Sequence, residues 1–166
     1  MNKDDIFEHT KDAYLCLIQP IRSHNAYREE LAPLVALVPS VPSELIADLI
    51  TGVSWRERLL GLCMAMSQRS AIYTVEMLQS LRDPCGISIV PTCAALAVLA
   101  QYGAFVIPPS FADTFDRTAF DGEVGWAIDK LMYVAGLRAE DVPGDGPNYG
   151  QIFDDHVEVY SWLYAT

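Results

Sequence analysis

The sequence predicts an all-α protein, built as a HEAT-like stack of antiparallel helical hairpins in one domain over residues 1–166. Helical patterns of apolar residues begin at Trp55, Pro91 and Trp126, 36 and then 35 residues apart, and each is followed by a loop and a second candidate helix. No convincing strand pattern interrupts them. Near-constant spacing is typical of stacks in which each helix pair buries its apolar face on the next.

Three candidate helices occupy the first third of the chain. Apolar residues at helical spacing predict a first helix over about Phe7–Ile21 and a second helix that Asn25 caps. Pro33 lies inside this second pattern, where we expect it to kink or split the helix. Pro42 at a first-turn position opens a third helix, which Gly52 closes.

The middle of the chain carries the clearest helix signals. Ser54 and Glu57 have the spacing of a capping box, which marks the start of a helix that runs to about Gln68. A partner helix follows over about Ser70–Leu81. The next helix, Pro91–Tyr102, has no polar side chain between Cys93 and Ala100. Because a helix that is apolar all round is buried on all sides, we expect it to be the central helix of the fold.

The last third contains three further candidate helices. Ser110 is placed to cap a short helix that carries Phe111 and Phe115. Asp121 is placed to cap the helix that contains Trp126. A loop rich in glycine and proline then leads to a final helix over about Gln151–Tyr164.

The final helix has two distinct sides. At 100° per residue, Phe153, Val157, Tyr160 and Tyr164 lie together and are predicted to face the core. Asp155, Glu158 and Trp162 lie on the opposite side. An aromatic residue among acidic ones is typical of protein interfaces. The alternative is that Trp162 folds under the chain end or packs on a neighbouring helix.

The chain is acidic, with a formal net charge of −11. Residues 1–109 hold 11 acidic and 8 basic residues, whereas residues 110–166 hold 11 acidic and 3 basic residues. This balance disfavours nucleic acid and anionic membranes as partners, because both bind clustered Lys and Arg. It is explained either by solubility alone or by attraction to a basic partner.

The final third is therefore the predicted contact surface for a protein partner, unless its acidic residues form an ordinary solvated face. The candidate partner-binding residues are Asp155, Glu158, Trp162, Asp113, Asp116, Asp121 and Glu123.

No pattern of a catalytic, metal or cofactor site appears in the sequence. His9, His24 and His156 each lack a second His or a Glu three or four residues further on, the helical spacing of a metal site. The sequence also contains no GxSxG, P-loop or GxGxxG motif. We therefore predict that the protein is not an enzyme and binds no cofactor or metal.

The cysteines and the N-terminus indicate a cytoplasmic protein. Cys16, Cys63, Cys85 and Cys93 form no CxxC pair and lie in largely apolar neighbourhoods. The N-terminal residues have no apolar core of a secretory signal. We expect free, reduced thiols, although Cys85 and Cys93 are near enough in sequence to meet across a turn.

The runs SWRERLLGLCMAMSQ, LQSLRDPC and CAALAVLAQYG resemble a little-characterised bacterial family of small acidic helical proteins. Members of this family have HEAT-like helix pairing and are regarded as immunity proteins to polymorphic toxins. The resemblance covers roughly residues 27–135, and it would make Trp55, Arg56 and Arg58 signature positions. Their chemistry favours structural roles, with Trp55 in the core and both arginines paired with helix ends or acidic neighbours.

The resemblance implies an immunity protein that binds and neutralises a cognate toxin domain, with the acidic surface attracting a basic partner. The alternative is a helical-repeat scaffold or adaptor in a cytoplasmic complex.

Overall fold

The computed structural model describes residues 1–11, 13–18, 26–142 and 148–166. Within these ranges 72% of the residues are helical and none is in a strand, which confirms the all-α prediction. The described parts contain eight α-helices: α1 (Lys3–Thr10), α2 (Ala26–Leu37), α3 (Ser43–Ile50), α4 (Trp55–Ser67), α5 (Thr74–Arg82), α6 (Ile89–Gln101), α7 (Glu123–Val134) and α8 (Tyr149–Ala165).

The prediction of a single helix over Phe7–Ile21 is wrong. Helix α1 begins earlier because Asn2 and Asp5 form a capping box, in which each side chain accepts a hydrogen bond from the other's backbone N–H. It ends before Lys11, which has a positive φ of 46°. A separate 3-10 turn follows over Ala13–Leu17.

Helix α2 is one continuous helix. It runs through Pro33, so the predicted split does not occur. The predicted cap, Asn25, lies outside the described residues.

Helices α3 and α4 form a close hairpin. The predicted capping box at the start of α4 is confirmed: the Glu57 N–H donates to Ser54 Oγ at 3.3 Å, and the Ser54 N–H donates to Glu57 Oε2 at 3.2 Å. Gly61 of α4 lies directly against α3, because a Cβ placed on it would be 2.6 Å from the backbone nitrogen of Ile50. Only glycine permits this approach without moving the helices.

Arg58 holds the ends of two helices together from inside the protein. Its side chain is 3% exposed. Its Nε–H donates to the carbonyl of Gly52 at 2.7 Å, and Nη1 donates to the carbonyls of Ser80 and Asp83 at 3.1 and 2.6 Å. These carbonyls lie at the C-terminal ends of α3 and α5. The predicted pairing of Arg58 with helix ends is therefore confirmed.

Helix α6 is the centre of the fold, as predicted. Every residue over Ile89–Leu99 is buried, and the helix packs against α4, α5, α7 and α8. It ends where Gly103 takes a left-handed conformation with φ of 70° and the Ala104 N–H donates to the carbonyl of Leu99 at 2.8 Å. This is the C-terminal stop that Gly103 predicts.

The chain between α6 and α7 differs from its prediction. A 3-10 turn over Phe111–Thr114 replaces the short capped helix, and Ser110 makes no side-chain cap. Gly122, with φ of 88°, is the N-cap of α7 in place of the predicted Asp121.

Helix α8 returns across the molecule to pack against α6 and α4.

Candidate functional site

The predicted contact face of α8 is only partly exposed. Asp155 is buried, at 8% exposure, and accepts a hydrogen bond from the side-chain amide of Gln151 at 2.7 Å. The prediction that Asp155 lies on a solvent face is therefore wrong. The physical reason is that α8 packs against two helices, α4 and α6, so that more of its circumference is covered than its apolar stripe alone predicts.

Trp162 packs on a neighbouring helix. Its ring is half-buried and meets the ring of Tyr27 edge to face, with centroids 5.6 Å apart. The guanidinium of Arg28 lies 5.8 Å from the indole centroid, and the Tyr27 hydroxyl donates to Glu158 Oε1 at 3.4 Å. The sequence left open whether Trp162 is an exposed interface residue or packs on a neighbouring helix, and the structure shows the packing.

The other predicted acidic residues lie in the loop before α7. We call residues 110–122 the acidic loop, where Asp113, Asp116 and Asp121 are all exposed. Asp116 accepts hydrogen bonds from the N–H and hydroxyl of Thr118 at 3.0 and 2.7 Å, which lower the pKa of its carboxyl. Within the described residues, none of the three aspartates forms an ion pair. All three therefore present negative charge to solvent.

The acidic loop is held firmly on the protein. Phe111 and Phe115 are buried, with ring centroids 5.0 Å apart. Arg117 forms an ion pair with Asp129 of α7. The backbone also packs closely, because a Cβ on Gly125 would lie 2.6 Å from the carbonyl oxygen of Arg117. The loop is consequently ordered before any partner binds.

Phe120 is the exposed aromatic residue of this loop. Its side chain is 48% exposed, between two exposed aspartates in the sequence, Asp116 and Asp121. Phe120, Asp121 and Gly122 take left-handed conformations in succession, with φ of 52°, 53° and 88°. This conformation is unusual for a bulky residue and is maintained only where the surroundings enforce it.

Phe120 is not among the contact residues that the sequence predicts. A signal was present, because this aromatic residue belongs to no helical pattern of apolar residues and stands beside an aspartate.

The basic side chains are largely occupied by the protein itself. Lys3 pairs with Glu57, Lys130 pairs with Asp141, and Arg117 and Arg138 both pair with Asp129. Arg58 is buried on backbone carbonyls. Three more arginines lie over aromatic rings, namely Arg28 on Tyr27 and Trp162, Arg56 on Tyr14 and Trp55, and Arg82 on Phe115. Within the described residues, none of these cations pairs with Asp113, Asp116 or Asp121, although Arg117 belongs to the acidic loop and Arg82 lies over its Phe115.

Glu123 lies in a different setting from the three aspartates. It is the first residue of α7, is half-buried, and accepts a hydrogen bond from the Tyr149 hydroxyl at 3.3 Å. Burial raises the pKa of the Glu123 carboxyl, although the hydrogen bond from Tyr149 opposes this. The pair borders a cavity of about 360 Å³. Glu123 is therefore part of a concave site, not of the open acidic surface.

The buried histidine and the buried cysteine thiols are in their neutral forms at neutral pH. Burial lowers the pKa of His156 to about 4, while its Nδ1–H donates to the Ile152 carbonyl at 2.7 Å. Burial also raises the pKa of Cys16 to about 12 and raises that of Cys63. All four cysteines are free thiols.

Within the described ranges, no three His, Cys, Asp or Glu side chains are grouped so that they could bind a metal ion.

No family model, curated protein or solved structure matches this chain. The resemblance to immunity proteins therefore stays a prediction. Among the described residues, no helix has the length and apolar character that crossing a membrane would need.

Proposed function

We propose that this chain binds a basic protein and neutralises it, as an immunity protein neutralises its toxin in the bacterial cytoplasm. The observation that supports the proposal best is the acidic loop, where Asp113, Asp116 and Asp121 are exposed, form no ion pair with any described residue, and share the loop with the exposed Phe120. Interfaces commonly combine an aromatic anchor with a polar rim, and Phe120 has this setting. Trp162, predicted as the anchor, is held by Tyr27 instead.

The charge distribution favours a basic partner. The last 57 residues hold 11 acidic and only 3 basic residues, and Arg117, Lys130 and Arg138 are all engaged in ion pairs within the chain. A surface of one charge raises the rate at which an oppositely charged partner arrives and orients it on contact. The loop is also ordered in advance, so binding requires little loss of its conformational entropy.

We further propose that the helices correspond to a HEAT-like stack. Helices α4, α6 and α7 begin at Trp55, Ile89 and Glu123, which places their starts 34 and 34 residues apart. Helix α3 packs on α4, α4 on α6 and α6 on α7, and this succession of contacts supports the proposal. Helix α8 packs across α6 and α4 and would close the stack.

Charge reversal in the acidic loop tests the contact surface. The chain is used to capture partners from a lysate of its source organism, and association with the purified partner is followed by surface plasmon resonance at several salt concentrations. Asp113→Lys with Asp121→Lys should lower the association rate and weaken its dependence on salt. Phe120→Ala should act mainly by raising the dissociation rate.

The matched control is Glu29→Lys with Glu44→Lys, which changes the net charge equally at exposed positions on α2 and α3. If this control weakens binding as much as the loop variant does, net charge and not the acidic loop governs association.

A growth assay separates immunity from a scaffold role. The captured partner is expressed in cells with and without this chain. An immunity protein restores growth that the partner alone stops, and the Phe120→Ala variant restores less. A partner that does not impair growth by itself would favour the scaffold or adaptor function.

A further inference from the structure

A second site lies where three helices begin. The cavity of about 360 Å³ beside Glu123 is lined on its apolar sides by Leu17, Ile87, Val90 and Ile152. These residues come from the 3-10 turns Ala13–Leu17 and Gly86–Ser88 and from the first turns of α6 and α8. Its size lies within the range of roughly 300–1,000 Å³ that is usual for sites of small organic molecules.

The polar side of the cavity carries negative charge. Tyr149 donates its hydroxyl hydrogen to Glu123 Oε2 at 3.3 Å. Burial raises the pKa of the Tyr149 hydroxyl most, and the nearby charges of Glu123 and Asp121 raise it further. Within the described residues, no Lys or Arg pairs with Glu123 or Asp121. A half-buried carboxylate with one phenol donor still has acceptor positions to fill.

The helix ends oppose this negative charge but do not cancel it. Each helix N-terminus acts as roughly half a positive charge, so the three helices α6, α7 and α8 contribute about 1.5 charges, spread over their first turns. Glu123 contributes one full negative charge at the cavity wall when ionised, and Asp121, which is exposed and does not line the cavity, contributes a second from beside Tyr149. These charges are also concentrated on oxygen atoms that accept hydrogen bonds directly. A cationic group is therefore favoured over an anionic one.

We propose that this cavity binds an ammonium group carried on an apolar body, with the ammonium on Glu123 and the apolar body against Leu17, Ile87, Val90 and Ile152. The same chemistry belongs to a free organic amine and to a lysine side chain of a protein partner. The site does not rest on the proposed neutralising function, because a free amine would bind without any protein partner.

The test is a titration of the isotopically labelled protein followed by NMR. The probes are phenethylammonium, 2-phenylethanol and 3-phenylpropanoate, which share an aromatic body and differ in the charge of the head group. Phenethylammonium should shift the amide signals of Val90 and Ile152 saturably. Both other probes should bind at least about tenfold more weakly, because neither forms a hydrogen bond between a charged donor and a carboxylate. Equal binding of the three probes would overturn the proposal.

Two variants and one control locate the contact. Glu123→Gln should weaken binding of phenethylammonium about tenfold or more, whereas Asp113→Asn, which removes the same charge from the exposed loop, should leave it unchanged. Ile87→Trp fills the cavity from a partly exposed position and should abolish binding while Glu123 remains. The site is refuted if Glu123→Gln binds the amine as the parent does.

A capped lysine, Nα-acetyl-lysine N-methylamide, distinguishes a free organic amine from a lysine side chain of a protein as the source of the ammonium group. Tighter binding of phenethylammonium indicates a free amine, and tighter binding of the capped lysine indicates a side chain from a protein partner. Failure of both probes to saturate the signals would overturn the site, and it would leave the acidic-loop experiment with its own partner unaffected.

Discussion

The indole of Trp162 meets the ring of Tyr27 edge to face, with centroids 5.6 Å apart and an angle of 74° between the ring planes. This contact joins the last helix to α2, which is distant in sequence. It also covers part of the aromatic ring that the helical pattern places opposite the apolar side of α8. Trp162 therefore contributes to the stability of the fold through a specific contact.

Trp162→Ala should lower the free energy of unfolding by about 2 kcal/mol, less than the 3–5 kcal/mol that is typical of a fully buried tryptophan, because the ring is half-buried. Urea denaturation of the parent and the variant measures this. Val106→Ala, at a highly exposed position, should change stability by less than about 0.5 kcal/mol. An unchanged midpoint for Trp162→Ala would show that the contact with Tyr27 is not stabilising.

Arg58→Lys should destabilise the protein by about 3 kcal/mol. A lysine ammonium cannot reproduce the planar fork that donates to Gly52 on one helix end and to Ser80 and Asp83 on another, so buried carbonyls lose their donors.

Asp83→Asn is the control for Arg58→Lys. The Asp83 side chain is 90% exposed and lies 3.8 Å from the guanidinium, so its charge should contribute less than about 0.5 kcal/mol. Denaturation curves that rank the two variants in the opposite order would show that the ion pair, not the carbonyl contacts, is the main interaction of Arg58.

Gly61→Ala should destabilise the protein although alanine is the better helix former. The gain in helix propensity is about 1 kcal/mol, but the new Cβ would lie 2.6 Å from the backbone nitrogen of Ile50 and force α3 and α4 apart. Overpacking of this kind typically costs about 1–3 kcal/mol. Thermal unfolding followed by circular dichroism measures the result.

Gly150→Ala in α8 is the matched substitution, because a Cβ there meets nothing within 4 Å. It should be neutral or stabilise by up to about 1 kcal/mol. If both alanine variants were stabilised equally, the close approach at Gly61 would be disproved.

His156 should make stability fall in mild acid. Its pKa is about 4 in the folded protein and 6.5 in the reference state, because burial disfavours the imidazolium. The unfolded chain therefore binds the proton first, and stability that is complete above pH 6.5 is lost as the pH falls towards 4. The loss approaches about 3 kcal/mol, from about 1.4 kcal/mol per pKa unit.

The measurement compares urea denaturation of the parent and His156→Phe between pH 7 and pH 4. The variant keeps an aromatic ring but cannot bind the proton, so its stability should depend less steeply on pH. Parallel pH profiles for the two proteins would exclude His156 as the source of the acid sensitivity.

Local signals in the sequence determined where some helices begin and end, because these ends depend on residues close by in the chain. The capping box of Ser54 and Glu57, the stop at Gly103 and the burial of α6 were all predictable. Caps and turns are set by hydrogen bonds within a few residues, and a helix without polar side chains has no face to expose.

Tertiary structure alone decided which faces are covered and which residues form a site. A helical pattern separates the two sides of α8, but it does not specify that Tyr27 reaches Trp162 or that Asp155 is buried. The exposure of Phe120 and the cavity beside Glu123 likewise depend on how the loop and three helix ends meet. Burial is a property of all the elements that pack around a residue, and most of these are distant in sequence.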